Sequence, residues 1–198
     1  MNVKNAAPYK QCPERADYSL TLVTGALTIV AANDPVWSFQ WTATQHICVV
    51  KRIHLSVGVT TAYGAAQNTR YGLYFARAYT VADTGGTAAT LTTNNGKLDT
   101  SYPITQITDM RIGTTGAITA GTRTLDAQPL DVAYFGTTAL GMVGDEEFQF
   151  GLTPSHQEII IRQNEGLVLN NLMLMGATGV LMLAVTMEWA EVPLSSVK

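Results

Sequence analysis

A chain of 198 residues and 21.3 kDa suits one ordinary domain of about 100–200 residues. Hydrophobic residues make up 46% of it, but Asp, Glu, Lys and Arg together reach only 14%, where about 25% is usual. A net charge of −3 with a pI near 5.5 excludes a phosphate-binding surface built on excess Lys and Arg, and no run approaches the roughly 18 apolar residues of a spanning helix. Neither nucleic acid nor membrane is expected as a partner.

Size scaling gives a folded surface of roughly 9,000 Å². Spread over it, 12 basic and 15 acidic side chains leave wide stretches to Thr, Ala, Gly, Asn and Ser. Such a surface suits permanent contact with other subunits.

Residues 1–17 hold Pro8, Pro13 and scattered charges without periodicity, and read as an extended arm outside the core. Lys4, Lys10 and Arg15 ahead of the apolar-leaning 20–32 imitate a secretory signal. Thr21, Thr24 and Thr28 at strand-like intervals, preceded by Pro13, Glu14 and Asp17, argue against one. Cys12 and Cys48 form no metal motif and too sparse a disulfide framework, so both are expected as free thiols from a reducing cytoplasm.

Period-two patterning dominates the remainder. Trp37, Phe39 and Trp41 fall on one face with Ser38 and Gln40 on the other, which predicts a half-buried strand over 37–41. Over 46–59, Ile47, Val49, Ile53, Leu55, Val57 and Val59 share a face interrupted by Lys51, opposite Arg52, His54 and Ser56. Over 70–81, Leu73, Phe75, Tyr79 and Val81 oppose Gly72, Tyr74, Ala76 and Ala78. Over 180–192, Leu181, Leu183, Val185, Met187 and Trp189 share one face of what reads as a long central strand.

Weaker strands are expected over 19–23, 27–31, 110–112, 116–122, 147–150, 158–162 and 166–169. Turns come from Gly25, Asn33-Asp34-Pro35, Gly113 and Asn164-Glu165-Gly166. The polar connection 82–103 exceeds the length of ordinary loops and is expected at one end of the body. About ten strands without crossover helices leave a sandwich or a barrel. The expectation is all-β: a jelly-roll-like two-sheet antiparallel sandwich forming a single domain over 18–198, with residues 1–17 as its arm.

The residues offer no reaction centre. No Ser lies in a G-x-S-x-G elbow, and His54 sits mid-strand beside Arg52, where it reads as structural or interfacial rather than as a general base. His46 and His156 fall near strand ends. There is no Cys-x-x-Cys, no His-x-His and no oxygen-dense acidic loop, so no metal and no cofactor are expected. Asp83-Thr84-Gly85-Gly86 lacks the Lys and following helix of a phosphate loop. Tyr63, Tyr71, Tyr74, Tyr102 and Tyr134 could stack on sugars, with core or subunit-contact roles as the alternative.

An ordered set of short motifs runs from residue 46 to 192. It comprises Lys51-Arg52-Ile53-His54-Leu55, the small-residue stretch 60–66, Tyr71-Gly72-Leu73-Tyr74-Phe75-Ala76-Arg77, Thr84-Gly85-Gly86-Thr87-Ala88 and Lys97-Leu98-Asp99-Thr100. Downstream come Glu146-Glu147-Phe148-Gln149-Phe150, Asn164-Glu165-Gly166-Leu167 and Glu188-Trp189-Ala190-Glu191-Val192. In pattern and order it resembles the small β-sandwich structural proteins of bacteriophage virions. The resemblance implies a jelly-roll-like virion protein without enzymatic activity, assembled in the host cytoplasm. It would be a homotrimer acting as cement or decoration on the major capsid protein, at the capsid surface. A tail, neck or fibre module that recognises a host-surface glycan is the alternative.

On this expectation the arm reaches a neighbouring capsomer, with Tyr9 as anchor and Lys4, Lys10 and Arg15 meeting acidic capsid loops. Arg52, His54, Tyr74 and Tyr102 are the candidates for contacts between subunits.

Overall fold

Alternating apolar residues rich in Thr, Val and Ile suit a pleated, half-buried surface, and the chain is built almost wholly from strands. The computed structural model describes residues 14–92, 94–137, 140–150 and 158–196. The strands are β1 (Ala16–Val23), β2 (Pro35–Trp41), β3 (His46–Thr61), β4 (Gln67–Val81), β5 (Thr87–Ala88) and β6 (Ile107–Ile112). They continue as β7 (Thr122–Leu125), β8 (Asp131–Thr137), β9 (Gly141–Gln149), β10 (Ile159–Ile161), β11 (Glu165–Asn171) and β12 (Val180–Pro193).

Two antiparallel sheets result. One has the order β1-β12-β3, with β9 and β10 end to end along β3. The other runs β5-β6-β2-β11-β4, with β8 and β7 end to end along β4. Setting aside β5 to β7 and β10, eight strands remain, and β1, β12, β3, β9 face β2, β11, β4, β8. That is the strand order of a jelly roll, as expected. The inner faces meet in one core around Trp37, Trp41, Trp189, Tyr18, Tyr71, Phe39 and Ile53, all without solvent exposure. The predicted central strand β12 lies between β1 and β3.

Two irregularities reverse predicted faces. Glu188 pairs with Arg52 and Trp189 with Val50, so Lys51 is an extra residue on β3. A bulge of this kind switches the alternation. Cys48 and Val50 therefore join Ile53, Leu55, Val57 and Val59 in the main core, while Ile47 and Val49 form a separate cluster with Ala190 and Val192. On β4, Ala78 has φ 48° and the register against β7 shifts between Arg77 and Val81. Tyr79 consequently leaves the face of Leu73 and Phe75 and packs with Ala76 and Val168.

Two expected strands are loops. Over 27–31 the buried residues are Leu27 and Val30, three apart rather than two, and the segment makes only an isolated bridge, between Leu27 and Leu181 of β12, its other bonds going to loops. Residues 116–121 reach only an isolated bridge between Thr84 and Thr119 before β7 begins. The long connection after β4 carries β5, then crosses to the other sheet. There Ser19 N–H donates to the Gly96 carbonyl (2.7 Å), Leu98 N–H to that of Asp17 (3.2 Å) and Tyr18 Oη to that of Pro103 (3.0 Å). It thus covers the open edge of β1, where unpaired backbone would otherwise invite a foreign strand.

The strand β1 starts at Ala16, so the ordered body takes in the last two residues of the expected arm. Most of that arm, with Cys12, lies outside the described residues. Cys48 is a buried free thiol.

Candidate functional site

Of the four residues expected in the arm contact, Lys4, Tyr9 and Lys10 lie outside the described residues. Arg15 Nε donates to Asp17 Oδ1 (3.0 Å), and Lys51 Nζ reaches the same oxygen (2.9 Å). Burial by itself would raise the Asp17 pKa, but hydrogen bonds from Lys51 and Arg15 prevail and hold it below the ordinary value.

The candidate subunit contacts fall on three surfaces. Arg52 and His54 lie on the outer face of the β1-β12-β3 sheet, where alternation opposite Ile53 and Leu55 places them. Arg52 bonds Glu188 (2.6 Å) and Glu147 (3.2 Å), and those carboxylates raise its pKa in that order. His54 Nε2 stands 3.3 Å from Asp145 Oδ2. Tyr74 lies on the outer face of the other sheet, its ring edge 3.0 Å from where a Cβ on Gly72 would stand. Tyr102 belongs to the long connection and packs against Tyr18 of its own chain, ring centroids 6.3 Å apart. Tyr63 and Tyr71, candidates for sugar stacking, are buried, whereas Tyr134 is 60% exposed with Arg70 over its ring at 5.2 Å.

Two buried carboxylates serve the architecture. Asp83 is fully buried, ion-paired with Arg123 and accepting from Gly121 N–H (2.7 Å), so it fastens β7 to the end of β4. Arg123 also donates to Tyr79 Oη (3.1 Å), whose pKa burial pushes up to about 12. Glu191 accepts from Thr105 Oγ1, Gln106 N–H (3.0 Å) and Trp189 Nε1 (3.1 Å), pinning the long connection to β12. Desolvation raises its pKa against the effect of those bonds. Among the described residues no group of three or more His, Cys, Asp or Glu stands close enough to share a metal ion.

The most distinctive surface is one end of the sandwich, missed in the sequence. Here the β1–β2 loop, the β3–β4 turn, the β11–β12 loop and the start of the β6–β7 connection meet. Segments 24–34, 62–66, 113–116 and 172–179 contain one charged residue, Asp34, whose carbonyl accepts from Asn171 N–H (2.9 Å). Asn171 is their pin: its Nδ2 donates to the carbonyls of Val30 (3.1 Å), Ala31 (3.1 Å) and Met173. Met175 N–H bonds Val30 O (3.0 Å), Thr28 N–H bonds Thr115 O (3.1 Å) and Gly64 N–H bonds Thr178 Oγ1 (3.1 Å). Gly179 lets the Tyr63 ring lie against the backbone where any Cβ would overlap it.

From this tied set of loops, Ile29 (58% exposed), Leu174 (63%) and Met173 (37%) point to solvent. The signal was present as the run Leu172-Met173-Leu174-Met175 between Asn171 and Gly176. Four apolar residues with no alternation, in a segment too short for a helix, do not mark a strand; Met175 enters the core while Met173 and Leu174 face solvent. Ile29 was hidden by assigning 27–31 to a strand.

The molecule is thus a jelly-roll β-sandwich with a charge-poor, apolar loop end, at which Asp34 is the charged residue of the β1–β2 loop. No protein-family model matches the chain, and no curated protein matches it.

Proposed function

We propose that this chain is a non-enzymatic structural protein of a bacteriophage virion, a cement or decoration protein bound to the major capsid protein. The observation that carries the reading is the pairing of a jelly-roll body with a charge-poor end whose apolar side chains are held on hydrogen-bonded loops. Permanent interfaces favour such surfaces, since apolar area gains on burial and little charge must be desolvated. The few charges present are largely satisfied internally, as Arg52 is by Glu147 and Glu188. The resemblance over residues 46–192 points the same way. A clamp repeated across a lattice gains further from multivalency.

In this reading the N-terminal segment lies across a neighbouring capsomer. Deletion of residues 2–15 leaves all of β1 in place and tests it. The shortened protein should remain folded and oligomeric but lose binding to expanded capsids, and unchanged capsid occupancy would reject the proposal.

A second reading, a tail, neck or fibre module that binds a host glycan, is favoured by one feature. Tyr134, stacked by Arg70, shares the outer face of its sheet with Tyr74, and a flat ring with a polar rim suits a sugar. Glycan binding abolished by Tyr134→Ala, with few copies per particle, would select it.

A further inference from the structure

We infer that the connection over 95–106 is a strap whose closure on β1 is coupled to proton uptake by Glu191, so that mild acid holds it shut and rising pH releases it.

The strap is lightly held. Of its residues Thr105 alone is buried, and Leu98 and Ile104 are 62% and 50% exposed. An isolated bridge, Tyr18 with Lys97, and the Tyr18 hydroxyl bond tie it to β1. Segments with so little buried apolar area open separately from the core. The buried Thr105 donates its hydroxyl to Glu191, and Gln106 donates its N–H to both oxygens of the same carboxylate (3.0 Å each). The strap is thus fastened inward through one ionisable side chain.

That side chain has no countercharge. Glu191 is 3% exposed, and among the described residues no cation is ion-paired with it. The titratable groups on its side of the sheet are Tyr18 from β1 and Cys48 and His46 from β3, with Tyr102 of the strap packed on Tyr18. Burial first, and the Glu191 charge second, raise the pKa values of Tyr18 and Cys48 and keep both groups neutral. β6 contributes the uncharged Ile107, whose N–H bonds Thr105 Oγ1 (3.2 Å). Arg15 and Lys51 meet Asp17 on the opposite face of the sheet. Within the strap, Lys97 reaches Asn94 (3.3 Å) and Asp99 accepts from Ser101 N–H (2.8 Å). Asp83 is the contrast, a carboxylate equally withdrawn from water but ion-paired with Arg123. Without such a partner the Glu191 charge keeps its desolvation cost, which is relieved either by a proton or by hydration when the strap opens.

The direction follows from linkage. Desolvation holds the Glu191 pKa above its ordinary 4.5 while the strap is shut, and opening returns it towards that value. The shut form therefore binds the proton more tightly. Its extra stability is fully present below 4.5 and is lost as pH rises through the pKa of the shut form. Asp17, whose pKa is lowered, acts in stronger acid and in the opposite sense.

Residue-resolved amide exchange of the full chain from pH 4.5 to about 8, corrected for intrinsic rates, tests this. The amides of Leu98 and Gln106 report on the strap, and those of Ile53 and Met187, paired in β3 and β12, on the core. Strap protection should stay below that of the core and fall with rising pH, by up to about tenfold per unit. Glu191→Gln keeps an acceptor oxygen without the charge and should hold strap protection at its acid level throughout. His46→Gln should leave the parent's pH dependence intact. The core amides show whether each variant folds, and should Glu191→Gln not fold, the parent and His46→Gln series decide. Strap protection that is flat with pH, or equal to that of the core, overturns the inference. So does a pH dependence that survives in Glu191→Gln or vanishes in His46→Gln.

Discussion

The bulged residue Lys51 is held by Asp17, its Nζ 2.9 Å from the carboxylate across the intervening strand β12. The contact joins three strands at the point where the alternation of β3 reverses. Because the Asp17 pKa is lower folded than unfolded, its contribution is present above the ordinary carboxyl value of 3.8 and is lost as pH falls through the folded value. Asp17→Asn should lower stability by about 1 kcal/mol or less at neutral pH, the range of partly exposed ion pairs. Denaturant unfolding of both proteins should show the difference closing in acid, below pH 3.8; a gap that stays constant as pH falls through the folded value would contradict the assignment.

The same bulge turns Cys48 inward. Full burial, with the Glu191 charge as a lesser cause, pushes its thiol pKa well up, and both effects suppress the reactive thiolate. In a Cys12→Ala background, Cys48 should resist an aromatic disulfide reagent under native conditions and react fully in denaturant. Prompt native labelling would place it on the wrong face of β3.

Those two reversals mark the limit of what could be read from the chain. The strands β2, β3, β4 and β12 were legible because sustained alternation between apolar and polar residues suits a half-buried strand and no helix. Carried straight through Lys51 and Ala78, however, that alternation puts Ile47, Val49 and Tyr79 on the wrong faces. A bulge changes parity without changing composition, and its one local trace is Lys51 itself, a charge interrupting an otherwise apolar face. β8 was overlooked although Ala133 and Phe135 face the core, because alternation over so few residues, with small Ala and Gly among them, is weak. The loop end depends on segments distant in sequence, pinned by Asn171, and only topology brings them together.

Arg123 and Asp83 form an ion pair almost wholly removed from solvent, with side chains 4% and 0% exposed. Removing one partner of such a pair leaves a buried charge uncompensated, at a cost of about 3–5 kcal/mol. Arg123→Met should destabilise by that amount in chemical denaturation. The double variant Arg123→Met, Asp83→Leu should recover much of it, since apolar replacements of similar volume restore packing. A single variant within about 1 kcal/mol of the parent would show that the pair is not buried as described.

Gly179 is required for lack of a side chain. A Cβ there would overlap the Tyr63 ring, which supports the junction of the β3–β4 turn with the β11–β12 loop. Gly179→Ala should cost about 1–3 kcal/mol, the range of overpacked sites, and Gly179→Ala with Tyr63→Leu should cost less than the sum of the two changes. Strict additivity, measured by thermal unfolding, would show that the two residues do not touch.

Central to the proposed function is that this protein acts by occupying many equivalent sites on a capsid. Counting its copies in purified virus particles, by quantitative mass spectrometry against the major capsid protein, tests that claim most directly. Hundreds of copies per particle are predicted; a few tens, or none, would contradict it.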